Sequence, residues 1–88
     1  MSYRTELSRE AAKRLDRLDQ ATYSRIERRL YELMENPNDV RISKRLRGLM
    51  GMRSSRVGDW RILYTIQETV KTIHIVAIRP RGEAYQRL

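Results

Sequence analysis

Two sets of apolar residues in the first half of the chain recur every three or four positions, which is the spacing of an amphipathic helix. They are Ala11, Leu15 and Leu18, followed by Ile26, Leu30, Leu33 and Met34. Ser8 and Asp19 precede these runs as N-cap residues, and Pro37 ends the second. We predict helices over residues 9–18 and from Asp19 to about residue 35. Only a turn separates them, so they form an antiparallel hairpin whose remaining charges are solvated surface.

Four other segments have the pattern of β-strands: residues 3–7, 52–57, 60–66 and 72–78. The last is apolar on nearly both faces, as expected of a central strand. A basic connector over residues 40–51 contains a short helical turn near residues 42–46, and residues 83–88 form a tail or helical turn. The chain is therefore one α+β domain over residues 1–88, in the order β-α-α-β-β-β. The helix pair covers one face of a mostly antiparallel sheet.

Gly58-Asp59 is a good two-residue turn between the second and third of these strands, because Gly at the first central position suits a type II′ hairpin. This register pairs Val57 with Trp60 and places Arg56 directly opposite Arg61 on the open face of the sheet. Like charges placed there repel each other. An anion between the two guanidiniums would offset the repulsion, and phosphate is the leading candidate. Ser54 shares their face, whereas Arg53 points inwards opposite Tyr64.

The formal charge of +8 is concentrated in residues 40–61, which hold seven basic residues and one acid. Sixteen of the 19 basic residues are arginine, whose planar fork of donors matches phosphate. This bias favours a nucleic acid as the partner. Candidate nucleic-acid-binding residues in this region are Lys44, Arg45, Arg47, Arg53 and Ser54.

The chain has no cysteine and one histidine, and its carboxylates near the arginine cluster are scattered. Disulfides, a thiolate metal site and a carboxylate site for Mg²⁺ or Zn²⁺ are therefore not expected, nor is a cofactor. No apolar run approaches the roughly 20 residues that span a bilayer. We expect a cytoplasmic protein.

The chemistry that these residues offer is incomplete. Arg79 and Arg81 follow the last strand, and Tyr85 lies four residues later. An arginine binds a phosphate and stabilises transition-state charge, but it is not a general base at neutral pH. His74 is isolated and is expected to be structural or merely exposed, and not catalytic. Such a site needs another macromolecule to hold the RNA in line for reaction.

Several motifs resemble the RelE/ParE toxin superfamily of type II toxin–antitoxin systems. They are Leu46-Arg47-Gly48-Leu49, the run from Arg56-Val57-Gly58-Asp59-Trp60-Arg61 to Tyr64, and Arg79-Pro80-Arg81 with Tyr85. The resemblance implies a RelE-like fold and, for the RelE branch, a metal-independent endoribonuclease. Such an enzyme cleaves mRNA in the ribosomal A site by attack of the 2′-OH on the adjacent phosphate. It also implies a cognate antitoxin as partner.

Carried over by position, the resemblance implies that Arg61 contacts the scissile phosphate and Arg56 supports it. Arg79 stabilises the same phosphate, Arg81 is the more general family arginine, and Tyr85 transfers a proton or stacks on a base. RelE-like enzymes often have a basic residue where this chain has Ser54. Either a bulge turns Arg53 outwards, or the site lacks one positive charge.

Two other functions fit the sequence. One is a ParE-like inhibitor of DNA gyrase without nuclease activity. The other is a plain RNA-binding module. The case for it is weaker, because the open face lacks the paired exposed aromatic residues on which single-stranded bases stack.

Overall fold

The two predicted helices are present in the computed structural model, which describes residues 2–86. Helix α1 spans Arg9–Arg17 and helix α2 spans Gln20–Glu35. The Ser8 Oγ accepts a hydrogen bond from the Ala11 N–H at 3.0 Å, and Asp19 caps α2 in the same way through Thr22 at 3.2 Å. Each cap therefore satisfies a backbone donor that has no partner within its helix.

Five strands form one sheet in the order β1-β5-β4-β3-β2. Their bounds are Arg4–Leu7 for β1, Lys44–Arg45 for β2, Arg53–Val57 for β3, Trp60–Gln67 for β4 and Thr72–Pro80 for β5. Only β1 and β5 are parallel, and the other three pairings are antiparallel. The predicted α+β class and the mostly antiparallel sheet are confirmed, with one strand more than predicted.

The additional strand, β2, lies where a helical turn was predicted, so that prediction was wrong. Lys44 pairs with Ser54 and Arg45 pairs with Arg53. The loop from residue 46 to residue 52 contains Gly48 and Gly51, whose φ angles are 82° and 74°. Glycine takes such angles without steric cost, so this loop reverses the chain and returns it as β3.

Short 3₁₀ turns follow the last two strands. One covers Glu68–Val70 between β4 and β5, and another covers Arg81–Glu83 after β5. The predicted helical turn of the tail is thus placed slightly earlier, and its last two residues lie outside the described residues. None of the helices in residues 2–86 is long and apolar enough to cross a bilayer.

The main core lies between the helices and one face of the sheet. Its fully buried members include Ala11, Ile26 and Leu33 from the helices and Ile62 and Tyr64 from β4. Trp60 is half-buried against this core, and the guanidinium of Arg14 lies 5.5 Å from its ring centre. On the opposite face, Leu63 and Ala77 are also fully buried. The centre of that face is therefore buried, and Arg56 and Arg61 lie at its hairpin end.

Candidate anion-binding groove

The hairpin between β3 and β4 has the register that the Gly58-Asp59 turn predicts. Val57 pairs with Trp60, and Arg56 lies opposite Arg61. Gly58 has a φ of 60°, whereas Asp59 does not have a positive φ. A positive angle at the first central residue alone is the signature of a type II′ turn. The turn therefore brings the two arginines together by local geometry.

The guanidiniums of Arg56 and Arg61 converge on one acceptor. The Nε of Arg56 donates to the Gly58 carbonyl oxygen at 3.2 Å, and Arg61 donates to the same oxygen at 3.3 Å and to the Trp60 carbonyl at 3.1 Å. Within residues 2–86, neither guanidinium forms an ion pair with a carboxylate. Their charges are therefore available to an anion.

Both arginines line a groove of about 400 Å³, which we call the basic groove. It is lined by five cations and four uncharged residues, and no carboxylate contributes to it: Arg29, Arg41, Lys44, Arg56 and Arg61 with Val40, Ile42, Ser43 and Ser54. A concave site lined by one sign of charge attracts a ligand of the opposite sign. The composition of the basic groove therefore favours an anionic ligand.

Two of the groove cations come from the connector before β3. Lys44 is exposed on β2, beside Ser54. Arg41 forms an ion pair with Asp39 at 2.9 Å, and its hydrogen bonds hold the pKa of that carboxyl at about 2. Arg41 is thus partly neutralised, whereas Lys44 is the freer charge.

Arg79 lies in register with Arg61 on β5, so three arginines form one row across the sheet. Its side chain leaves that row, however, and binds Glu10 on α1 through Nε at 2.7 Å and a terminal nitrogen at 2.9 Å. The pair lowers the pKa of Glu10, and the hydrogen bond from Arg79 is the largest cause of that shift. Only 13% of the Arg79 side chain is exposed, so it is not a free phosphate ligand in this structure.

Arg81 and Tyr85 lie on the C-terminal turn. The Arg81 N–H donates to the Asp59 carbonyl at 2.8 Å, which places this turn beside the hairpin. Ala84 is buried, whereas the side chains of Arg81 and Tyr85 are exposed. The terminal nitrogen of Arg79 also donates to the backbone carbonyls of Glu83 and Gln86. The turn that presents Tyr85 is therefore tied to β5.

The remaining candidate residues diverge. Arg47 is exposed in the loop after β2, and Arg45 borders a second, mostly apolar groove. Arg53 is 9% exposed and donates to the Ser43 Oγ at 2.8 Å. It stays opposite Tyr64, and no bulge turns it outwards. Arg53 is therefore buried and held by Ser43, and the structure does not bring its side chain to the surface with Lys44, Arg45 and Arg47.

Arg29 and Arg41 belong to the basic groove but were not among the predicted site residues. The charges of α2 were interpreted as solvated helix surface. Arg29, however, lies three residues after Ile26 and four before Leu33, on the buried stripe of the helix. A basic residue at that spacing is the signal that sequence reasoning overlooked.

Residues 2–86 contain no group of three or more histidine, aspartate or glutamate side chains placed to hold a metal ion. His74 lies 3.3 Å from Glu6 and hydrogen-bonds to Gln67, at the end of β4 that is away from the hairpin turn. The structure therefore keeps His74 apart from the arginine cluster.

Comparisons with known proteins agree with this architecture. A family model described as the ParE toxin of type II toxin–antitoxin system, parDE, matches residues 5–85. A search of curated proteins finds no match. A chain of the archaeal RelE–RelB complex from Pyrococcus horikoshii OT3 is 28% identical with a TM-score of 0.79, over 93% of this chain and 98% of that one.

Two further solved structures are similar. A chain of the RelBE2 toxin–antitoxin complex from Mycobacterium tuberculosis is 26% identical with a TM-score of 0.78, over 92% of this chain and all of that one. YoeB from Staphylococcus aureus, at 20% identity and a TM-score of 0.75, shares the fold over 90% of this chain and 97% of its own. The family model covers almost the whole sequence, and the chain belongs to the ParE toxin family of type II toxin–antitoxin systems, within the RelE/ParE superfamily.

Proposed function

We propose that this toxin is a metal-independent endoribonuclease that cuts mRNA in the A site of the translating ribosome. The observation that supports this proposal best is the basic groove, in which Arg56 and Arg61 converge with no carboxylate in the lining. A phosphate between these guanidiniums would replace the Gly58 carbonyl oxygen as their acceptor. Charge-assisted bonds to phosphate are stronger than bonds to a neutral carbonyl, which favours the exchange.

In the proposed reaction, the 2′-oxygen of a ribose attacks the adjacent phosphorus as its proton leaves. The bond from phosphorus to the 5′-oxygen breaks, and that oxygen takes up a proton. The products are a 2′,3′-cyclic phosphate and a 5′-hydroxyl. Negative charge builds on the non-bridging oxygens in the transition state, where Arg61 and Arg56 donate. Tyr85 is the proposed proton-transfer or stacking residue, and the ribosome supplies the in-line geometry.

Arg79 and Arg81 have unequal places in this mechanism. Arg81 is exposed beside the hairpin and can reach RNA directly. Arg79 is held by Glu10, so its proposed contact with the scissile phosphate requires that ion pair to open. Lys44, Arg45 and Arg47 remain proposed contacts with RNA or the ribosome, and all three are exposed.

The proposal is tested by expressing the wild type, Arg61→Ala and Tyr85→Ala in a translating extract and mapping mRNA 5′ ends. Removing one transition-state donor costs roughly 10²–10³ in rate, so codon-phased cuts should almost vanish with Arg61→Ala. Tyr85→Ala should lower cleavage much more than ribosome binding. The matched control is Arg17→Ala, an exposed arginine on α1 outside the groove. Intact messages with the wild-type protein would refute the nuclease.

A second candidate function is inhibition of DNA gyrase without cleavage of RNA. The match to the ParE family model favours it, and so does the withdrawal of Arg79 into its pair with Glu10. A supercoiling assay with purified gyrase separates the two functions. Blocked supercoiling together with intact messages would support the inhibitor, whereas phased cuts with normal supercoiling would support the nuclease.

A cognate antitoxin is the proposed partner, because the similar archaeal and mycobacterial structures are toxin–antitoxin complexes. The apolar groove of about 720 Å³ beside β2 would accept apolar side chains, and the net charge of +8 would attract acidic ones. Co-expression with a neighbouring small acidic reading frame should restore growth and yield a co-purifying complex. Continued growth arrest with both proteins present would count against that partner.

A further inference from the structure

We infer that Arg29 on α2 is a phosphate-binding residue of the basic groove, and that a bound RNA strand passes around the free edge of β3. This inference rests on the proposed function, because it takes RNA as the anion. It adds a residue from the helical layer to a site otherwise built from the hairpin. The argument has three parts: the shape of the sheet edge, the fixed position of Arg29, and its unused donors.

The edge of the sheet is open beside the hairpin. Strand β2 pairs only with Arg53 and Ser54, so from Ser55 to Val57 strand β3 is paired with β4 on one side and has no strand on its β2 side. Arg56 and Arg61 lie on the face opposite the helices, whereas Arg29 comes from the helical side. All three line the same groove. The basic groove therefore connects the two faces of the sheet around this edge.

The guanidinium of Arg29 is held in place by three partners. Its Nε forms an ion pair with the Glu32 carboxylate at 2.9 Å, which offsets part of its charge. One terminal nitrogen donates to the Ser55 Oγ at 2.9 Å and the Arg56 carbonyl at 2.7 Å. Its side chain is 22% exposed. An arginine fixed in this way loses little side-chain entropy when it binds a ligand. It also holds the backbone of Arg56, the neighbouring residue proposed to bind phosphate.

The second terminal nitrogen of Arg29 has no partner within residues 2–86. Its two N–H groups are the donors left for a phosphate. Arg41, by comparison, has 85% of its side chain exposed and binds Asp39, which lies two residues away in the same connector and not on another element. Arg29 is thus the preorganised cation on the helical side of the groove, and Arg41 is not.

The test measures the affinity of the purified protein for a fluorescein-labelled decauridylate by fluorescence anisotropy, from about 50 to 200 mM salt. Arg29→Gln removes the charge and keeps a polar side chain beside the β3 edge. It should weaken binding at least about tenfold and reduce the magnitude of the log–log salt slope by about 0.7, the value for one contact with a single strand. Arg28→Ala removes an exposed arginine next to it on α2 and should leave the slope unchanged.

Arg29→Lys distinguishes a phosphate contact from a structural brace. It keeps the charge and loses the fork, so its salt slope should match the wild type although its affinity is lower. All variants are compared below their unfolding temperatures, which circular dichroism determines. An unchanged slope in Arg29→Gln, with a reduced slope in Arg61→Ala, would overturn the role of Arg29 and leave the nuclease standing. Failure of the wild type to bind the oligonucleotide would overturn the role of Arg29, whereas the nuclease is decided separately by the mapping of mRNA 5′ ends.

Discussion

At the scale of single residues, the Gly58 carbonyl oxygen explains how two like charges share one end of a hairpin. It accepts from both Arg56 and Arg61 and so offsets part of their repulsion when no anion is bound. The oxygen points at the guanidiniums because the type II′ turn orients this peptide. Gly58 therefore sets the position of the anion site, although it has no charge.

Replacing Gly58 with alanine should destabilise the protein by about 1–2 kcal/mol, the cost of a left-handed conformation in an L-residue. A Cβ at this position would also lie 2.6 Å from a terminal nitrogen of Arg25, which would have to move. Urea denaturation measures the change. Gly82→Ala is the control, because its φ is not positive and no atom lies within 4 Å of the added Cβ. Equal losses in the two variants would contradict the strained turn.

At the scale of elements, a buried chain of hydrogen bonds holds the connector between α2 and β2 against the sheet. Arg53 donates to the Ser43 Oγ, Ser43 donates to the Tyr64 hydroxyl, and Tyr64 donates to the Pro37 carbonyl at 2.7 Å. The Tyr64 side chain is fully buried. This chain places Lys44 beside Ser54, and therefore brings the connector's cations to the basic groove.

We expect Tyr64→Phe to cost roughly 1–3 kcal/mol, because it leaves Ser43 and the Pro37 carbonyl without their buried partner. Tyr31→Phe, on the exposed face of α2, should have little effect. Chemical denaturation at pH 7 measures both. A loss no larger than that of the control would mean that water replaces the hydroxyl.

The same variant has a predicted pH dependence. Burial raises the pKa of Tyr64 above its usual value. The unfolded chain therefore releases this proton first as the pH rises through about 10. Stability due to Tyr64 is complete below that pH and decreases above it, so the advantage of the wild type over Tyr64→Phe should shrink in alkaline solution. A constant difference up to pH 11 would contradict this.

At the scale of the whole molecule, the ion pair between Glu10 and Arg79 joins the beginning of the chain to its end. It connects α1 to β5, and Arg79 also binds backbone carbonyls of the C-terminal turn. The turn carries Arg81 and Tyr85, so their positions depend on a contact between residues 69 positions apart. The helical layer thus supports the C-terminal half of the candidate site.

Glu10→Gln should lower stability at pH 7 by about 0.5–1 kcal/mol, because Glu10 is partly exposed and solvent weakens the pair. The pKa of Glu10 is lowered by folding, so this contribution is present above the unfolded value of about 4.3 and is lost as the pH falls through the folded pKa. In thermal unfolding from pH 7 to pH 3, the difference in stability between the wild type and Glu10→Gln should shrink towards zero. Glu27→Gln on α2 is the control, and persistent divergence at pH 3 would refute the linkage.

The sequence predicted more about the hairpin than about the other parts of the site. Arg56, Arg61 and their shared face follow from a two-residue turn and the alternation of β-strands, which are local properties. Arg53 was placed correctly opposite Tyr64, but its buried bond to Ser43 depends on β2, which was mistaken for a helical turn. The pattern of residues 42–46 is too short to distinguish a turn from a two-residue strand.

By itself, the sequence determined the two capped helices, the succession of the long strands along the chain and the register of the hairpin, because each depends on neighbours within a few positions. Only the tertiary structure decided which arginines are free. Arg79 is bound by Glu10, Arg53 is buried and bonded to Ser43, and Arg29 reaches the groove from the helix. These guanidiniums are chemically identical but differ in whether they are free to bind a ligand, because their partners come from distant parts of the chain. Such long-range contacts leave no periodic pattern in the sequence.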